Sequence, residues 1–132
     1  MSFRAITLAS LALVLVLTAS ACGRSPERDV RDTLNAFREA TAKKDYQRLC
    51  DDIFSAKLVE QVRQQVPCEL ALKNSSLGDA KDPKLQIKSI KVDGDTANAV
   101  VTTSAANQKP SEDTVRLVKE GEDWRIQALT SG

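Results

Sequence analysis

The chain has 132 residues, 19 basic against 18 acidic and no histidine. Near-neutrality excludes a nucleic-acid surface, which needs excess positive charge to displace counterions. The lack of histidine removes the commonest general base, the commonest transition-metal ligand and any Ser/His or Cys/His catalytic arrangement.

The first element is an export leader. Arg4 precedes an apolar run, Ala5 to Leu17, broken only by Thr7 and Ser10, and the small residues Thr18-Ala19-Ser20-Ala21 lead to Cys22. The run falls short of the ~20 residues that a spanning helix needs, so residues 1–21 read as a cleaved signal rather than an anchor. Ala19-Ser20-Ala21-Cys22 resembles the lipobox of bacterial lipoproteins, with Ala19 where that family prefers Leu. The resemblance implies cleavage before Cys22 and acylation of its thiol, which anchors a protein to the cell membrane without a spanning helix. The competing reading is an ordinary A-x-A cleavage site and a secreted product. Removal of the leader takes only Arg4 from the charge balance and leaves about 110 residues, enough for one domain with one modest core. The expected organisation is therefore 1–21 signal, 22–26 tether and 27–132 folded domain.

Two further cysteines, Cys50 and Cys68, are destined for an oxidising place and are expected to pair. A two-cysteine zinc site without histidine cannot close, and no metal or cofactor is expected.

Ser25-Pro26 forms a helix start, serine as N-cap and proline where its missing N–H costs nothing. Val30, Leu34, Phe37 and Thr41 then recur along one face, predicting an amphipathic helix over 27–43. Asp45 is placed to cap a short second helix carrying Tyr46, Leu49, Cys50 and Ile53. Ser55 is placed to cap a third, in which Leu58, Val59, Val62 and Val66 face inward until Pro67 stops it. One more helical turn from Cys68 would bring that residue beside Cys50. Asn74 to Pro83 is polar and reads as an exposed connection.

From Lys84 the period changes to two. Leu85 and Ile87 fall out of phase with Ile90 and Val92, which predicts a β-bulge near Ser89, and Asp93-Gly94 marks a tight hairpin turn. Ala97, Ala99, Val101 and Thr103 line one face of the second strand. Asn107 to Glu112 reads as a loose polar loop. A final hairpin runs from Val115 and Leu117 through Glu120-Gly121-Glu122-Asp123 to Trp124, Ile126 and Ala128. The fold class is α+β, with three to four N-terminal helices packed on a curved, four-stranded antiparallel sheet.

The long first helix, the Lys-Asp-Tyr opening of the second, Leu49-Cys50, and the hairpin Val-Arg-Leu-Val-Lys-Glu-Gly-Glu-Asp-Trp-Arg-Ile together resemble the nuclear transport factor 2-like superfamily, in particular its small bacterial lipoprotein members. The resemblance covers residues 27–129. It implies a concave sheet over a helix that holds an apolar ligand, a partner protein or a second copy of the chain. Many superfamily enzymes carry an extra hairpin between the second and third helices. Its absence here argues against a deep enzyme pocket.

An isomerase would need a carboxylate base and an acid donor in an apolar cone, the base drawn from Asp45, Asp51, Asp113 or Glu69. Family enzymes place a tyrosine on the first helix and the base on a strand, and Asn98, Asp113 and Arg116 do not reproduce that arrangement. Asp45, Asp51 and Asp52 lack the spacing of a calcium loop and read as a solvated face. Tyr46, Trp124 and Phe37 are the candidate ligand-facing aromatics, with Tyr46 and Trp124 read first as core residues. Lys84, Lys88 and Lys91 read as edge protection. The expected function is a non-catalytic binding domain on an envelope lipoprotein. The alternatives are an isomerase or lyase of the ketosteroid-isomerase type and an immunity-type inhibitor of another envelope protein.

Overall fold

The computed structural model describes residues 23–131, so the leader and Cys22 lie outside the described residues. Helix α1, Pro26–Lys43, begins as the sequence dictates, with the Ser25 hydroxyl accepting from the Arg28 N–H and proline in the first turn. It buries Val30, Leu34, Phe37, Ala40 and Thr41. Full burial of a leucine such as Leu34 is worth about 2 kcal/mol, so this single stripe holds the helix to the sheet. Lys44 ends α1 in the left-handed region (φ 54°). Its ammonium reaches the carbonyls of Gly78 and Ala80, tying the helix end to a distant segment.

Asp45 caps α2, Tyr46–Arg48, by accepting from the Arg48 N–H. The helix widens at once into a π turn, Leu49–Ile53, closed by Phe54 N–H donating to the Leu49 carbonyl at 2.8 Å. The extra residue in this turn lets Leu49, Cys50 and Ile53 all point inward. Phe54 and Ser55 then run beside β4, with the Ser55 N–H donating to the Ile126 carbonyl.

Helix α3, Ala56–Arg63, is capped by the Ser55 hydroxyl. It is shorter than its apolar spacing predicts. The residue before a proline is driven out of the helical region, and here the chain unwinds ahead of Pro67. Val66 is consequently 40% exposed rather than inward. Helix α4, Cys68–Lys73, brings Cys68 to Cys50, and the two are joined as a disulfide.

The stretch expected to be an exposed connection contains α5, Ser76–Asp79. Ser75 caps it, Leu77 is half-buried and Ala80 is buried. Gly78 is required here, because a Cβ would sit 2.1 Å from the Lys73 carbonyl oxygen.

Strands β1 (Lys84–Asp93), β2 (Thr96–Ala105), β3 (Gln108–Glu120) and β4 (Asp123–Ser131) form one antiparallel sheet in the order β1-β2-β3-β4. The register of β1 on β2 slips between Ile87 and Ser89, which keeps Leu85, Ile87, Ile90 and Val92 on the inner face. Gly94 alone takes positive φ (59°) in the tight turn that follows.

A second slip, at Arg116/Leu117, pairs Leu117 with Ile126 and Arg116 with Ala128. It brings Leu129 rather than Ala128 onto the inner row, opposite Val115. Residues 108–112, expected to be a loop, are strand. They pair with β2 but extend past the end of β4, so Pro110 breaks no ladder to a second neighbour. The core lies between α1, the π turn and the inner row of Ala97, Ala99, Val101, Val115, Leu117 and Ile126.

Candidate functional site

At the end of the sheet where β1 starts and β2 ends, the helices and strands splay apart around a cavity of about 510 Å³. Its inner wall is apolar: Phe37 from α1, Phe54 after the π turn, and Leu58, Val59 and Val62 from α3. Helices α4 and α5 supply the opposite side through Ala71, Leu72 and Leu77. The missing hairpin between the second and third helices therefore does not remove the pocket, because α4 and α5 wall it instead. Cys68 lines the cavity as well, so the disulfide is part of this wall.

One polar row crosses the apolar lining. By alternation along β3, Lys109, Ser111 and Asp113 share the face that continues into buried Val115 and Leu117. Lys109 and Ser111 are exposed, whereas Asp113 is only 9% accessible. Thr103 on β2 donates to Asp113 Oδ2 at 2.6 Å and Ser111 donates to the same oxygen at 2.9 Å. Asp113 Oδ1 takes no hydrogen bond from the described residues. An ionised carboxylate accepts at both oxygens, so Oδ1 is a free acceptor in the cavity wall. Of the four carboxylates that the sequence offers as a base, Asp113 is the one that lines the cavity. Its phase with Val115 and Leu117 was the signal that places it inward.

The rim is tied rather than loose. Gln108 Nε2 donates to the Ser76 carbonyl and Asn107 Nδ2 to that of Asp79, both at 2.8 Å. The Asn107 side-chain oxygen in turn accepts from the Lys81 N–H. Three cations, Arg38, Lys84 and Lys109, line the cavity against the single carboxylate Asp113. None of the three forms an ion pair among the described residues, in contrast to Lys88, which pairs with Glu112 at 2.6 Å.

Of the aromatics singled out in the sequence, Phe37 lines the cavity. Tyr46 and Trp124 lie outside its wall, and Trp124 is buried in the core with its carbonyl accepting from the Thr33 hydroxyl. Asp51 and Asp52 are exposed, and Asp51 faces Arg63. Among the described residues no cluster of three His, Cys, Asp or Glu could hold a metal ion. No helix there is long and apolar enough to cross a membrane.

The arrangement can accept a hydrogen bond at Asp113, and the hydroxyls nearest that carboxylate are already engaged. Thr103 and Ser111 spend their hydroxyl hydrogens on Asp113 and Thr41 donates its own to the Phe37 carbonyl.

No family model matches the chain, and no curated protein matches it in sequence. Solved structures do. A protein of unknown function from Shewanella oneidensis MR-1 superposes with a TM-score of 0.63 at 17% identity, over 81% of this chain and 98% of the other. One from Shewanella baltica OS155 gives 0.61 at 16%, over 83% and 97%. A third, from Silicibacter pomeroyi DSS-3, gives 0.55 at 19%, over 80% and 93%. All three are described as nuclear transport factor 2-like. This chain has the nuclear transport factor 2-like fold. In the nuclear transport factor 2-like fold of this chain, α1 closes the sheet and the cavity lies at the end where helices and strands splay apart.

Proposed function

We propose that this chain is a small cell-envelope lipoprotein whose nuclear transport factor 2-like domain binds an apolar small molecule without transforming it. The observation that carries the reading is the cavity, whose size falls in the range of small-molecule sites, whose inner wall is apolar and whose one carboxylate, Asp113, already holds the hydroxyls of Thr103 and Ser111. The lipoprotein part rests on the leader and Cys22 in the sequence. Native mass spectrometry of protein taken from its own membrane tests both halves, since an acyl mass at the N-terminus and a retained ligand are separate increments. A bare polypeptide mass with an empty cavity would defeat the reading. Replacing Cys22 by Ser should move the protein out of the membrane fraction, and unchanged partitioning would defeat the anchor.

Asp113 favours one second reading, a small isomerase or lyase that uses this carboxylate as its base. That reading expects turnover of an enolisable ketone that falls at least a hundredfold in Asp113→Asn. Equal rates in the two proteins would exclude it.

A further inference from the structure

Resting on the ligand-binding reading, we infer that the cavity takes an anionic amphiphile with a second polar group, a hydroxyl, toward its inner end. Two features of the wall lead there. The first is the imbalance of charge at the site. Arg38 and Lys109 contribute two cations without ion-pair partners among the described residues, Lys84 borders the cavity but alternates with inward Leu85, and the only acid among the lining residues is Asp113. Asp113 sits inside, already engaged with two hydroxyls. An anionic head at the mouth meets unpaired positive charge on an apolar rim, while a cationic head there meets repulsion.

The second feature is the spacing of the polar row. Lys109 is exposed at the mouth and Asp113 is buried four residues further along the same strand face, a separation of about 13 Å at the rise of an extended chain. Between them on the strand stands Ser111, which donates to Asp113, and the helical side of the wall is apolar, formed by Phe37, Leu58, Val62, Leu72 and Leu77. The free Oδ1 of Asp113 accepts from a hydroxyl, and a bare hydrocarbon end would leave that charged oxygen unpaired beside it. A chain molecule with a carboxylate at one end and a hydroxyl near the other spans the two.

The test uses the full chain carrying Cys22→Ser, so that no acyl group of its own competes, loaded with the neutral fluorescent probe N-phenylnaphthylamine. Dodecanol, dodecanoate, dodecylammonium and ω-hydroxydodecanoate are titrated in as competitors below their micellar concentrations. Dodecanoate should displace the probe about fivefold better than dodecanol, the ratio an exposed ion pair supplies, and the margin should shrink at high salt. The ω-hydroxy acid should gain about tenfold over dodecanoate through Asp113. In Lys109→Gln with Arg38→Gln the advantage of the carboxylate should vanish while dodecanol competes as before. Equal competition by dodecanol and dodecanoate, or the best competition by dodecylammonium, overturns the anionic class and leaves the apolar cavity standing. Dodecanoate matching the ω-hydroxy acid overturns the role of Asp113. A probe that does not bind, or that none of the four displaces, overturns the ligand-binding reading itself.

Discussion

Reduction of the Cys50–Cys68 bridge is expected to be the most damaging single change that leaves every atom of the core in place. The bonded residues are separated by 18 positions, and closing a loop of that size removes about 3 kcal/mol of unfolded-chain freedom. For a domain of about 110 residues, a loss of that size lowers the melting temperature by about 15 °C. The two cysteines are 4% and 1% exposed, so reduction adds two thiols to an apolar setting without opening a cavity. Cys68→Ser is the harsher variant, because it also places a hydroxyl among apolar neighbours at a further cost of about 1–3 kcal/mol. The assay is a pair of thermal melts, with and without a strong reductant, alongside thiol titration in denaturant. Two titratable thiols after reduction with an unchanged melting temperature would refute the reasoning. So would two thiols in the untreated protein. Because Cys68 stands in the cavity wall, affinity for an apolar probe should fall together with stability.

Other outcomes follow from single contacts. Ser55→Ala removes the hydroxyl that caps α3 and should cost about 1 kcal/mol, read as a lower midpoint of urea unfolding with unchanged slope. Trp124 is the only tryptophan and is buried away from the cavity, so its emission should be blue-shifted and stay put when a ligand binds. A large change on binding would place the ligand elsewhere. Glu39 has its carboxyl held below the ordinary range first by the hydrogen bond from Lys43, at 2.7 Å, and then by the charges of Lys43 and Arg48. A depressed folded-state value adds stability that is present above the unfolded value and lost as pH falls through the folded one. Lys43→Met should move the Glu39 titration upward in carboxyl NMR, and no movement would deny the contact. Gly94→Ala forces a Cβ into the left-handed region and should cost about 1 kcal/mol, with the loss read in the same urea assay.

The parts of the fold that were legible in the sequence are those where one physical demand acts alone. In α1, burial is the sole constraint on Val30 and Leu34, and Ser25-Pro26 fixes where the helix begins. The bulge near Ser89 shows because apolar residues change phase on either side of it. Its counterpart in β4 does not show, because Ala128 and Leu129 are both apolar and either could face inward. Residues 108–112 were illegible because the inner row there carries Lys109 and Ser111, leading to Asp113, where a packed strand would carry valines. The alternation of apolar and polar residues fails where the cavity begins, because no packed core lies against the strand there. Helix α5 escaped because one turn leaves too little periodicity to read, and only the crowding at Gly78 betrays it.

The segment Phe54-Ser55 running along β4 limits how copies of this molecule could assemble. With that margin partly occupied and the overhang of β3 interrupted by Pro110, strand addition is left to β1, where the exposed Lys84, Lys88 and Lys91 oppose it. Two molecules joining there would each use up that side, so sheet continuation ends at a closed pair and does not propagate into a fibre.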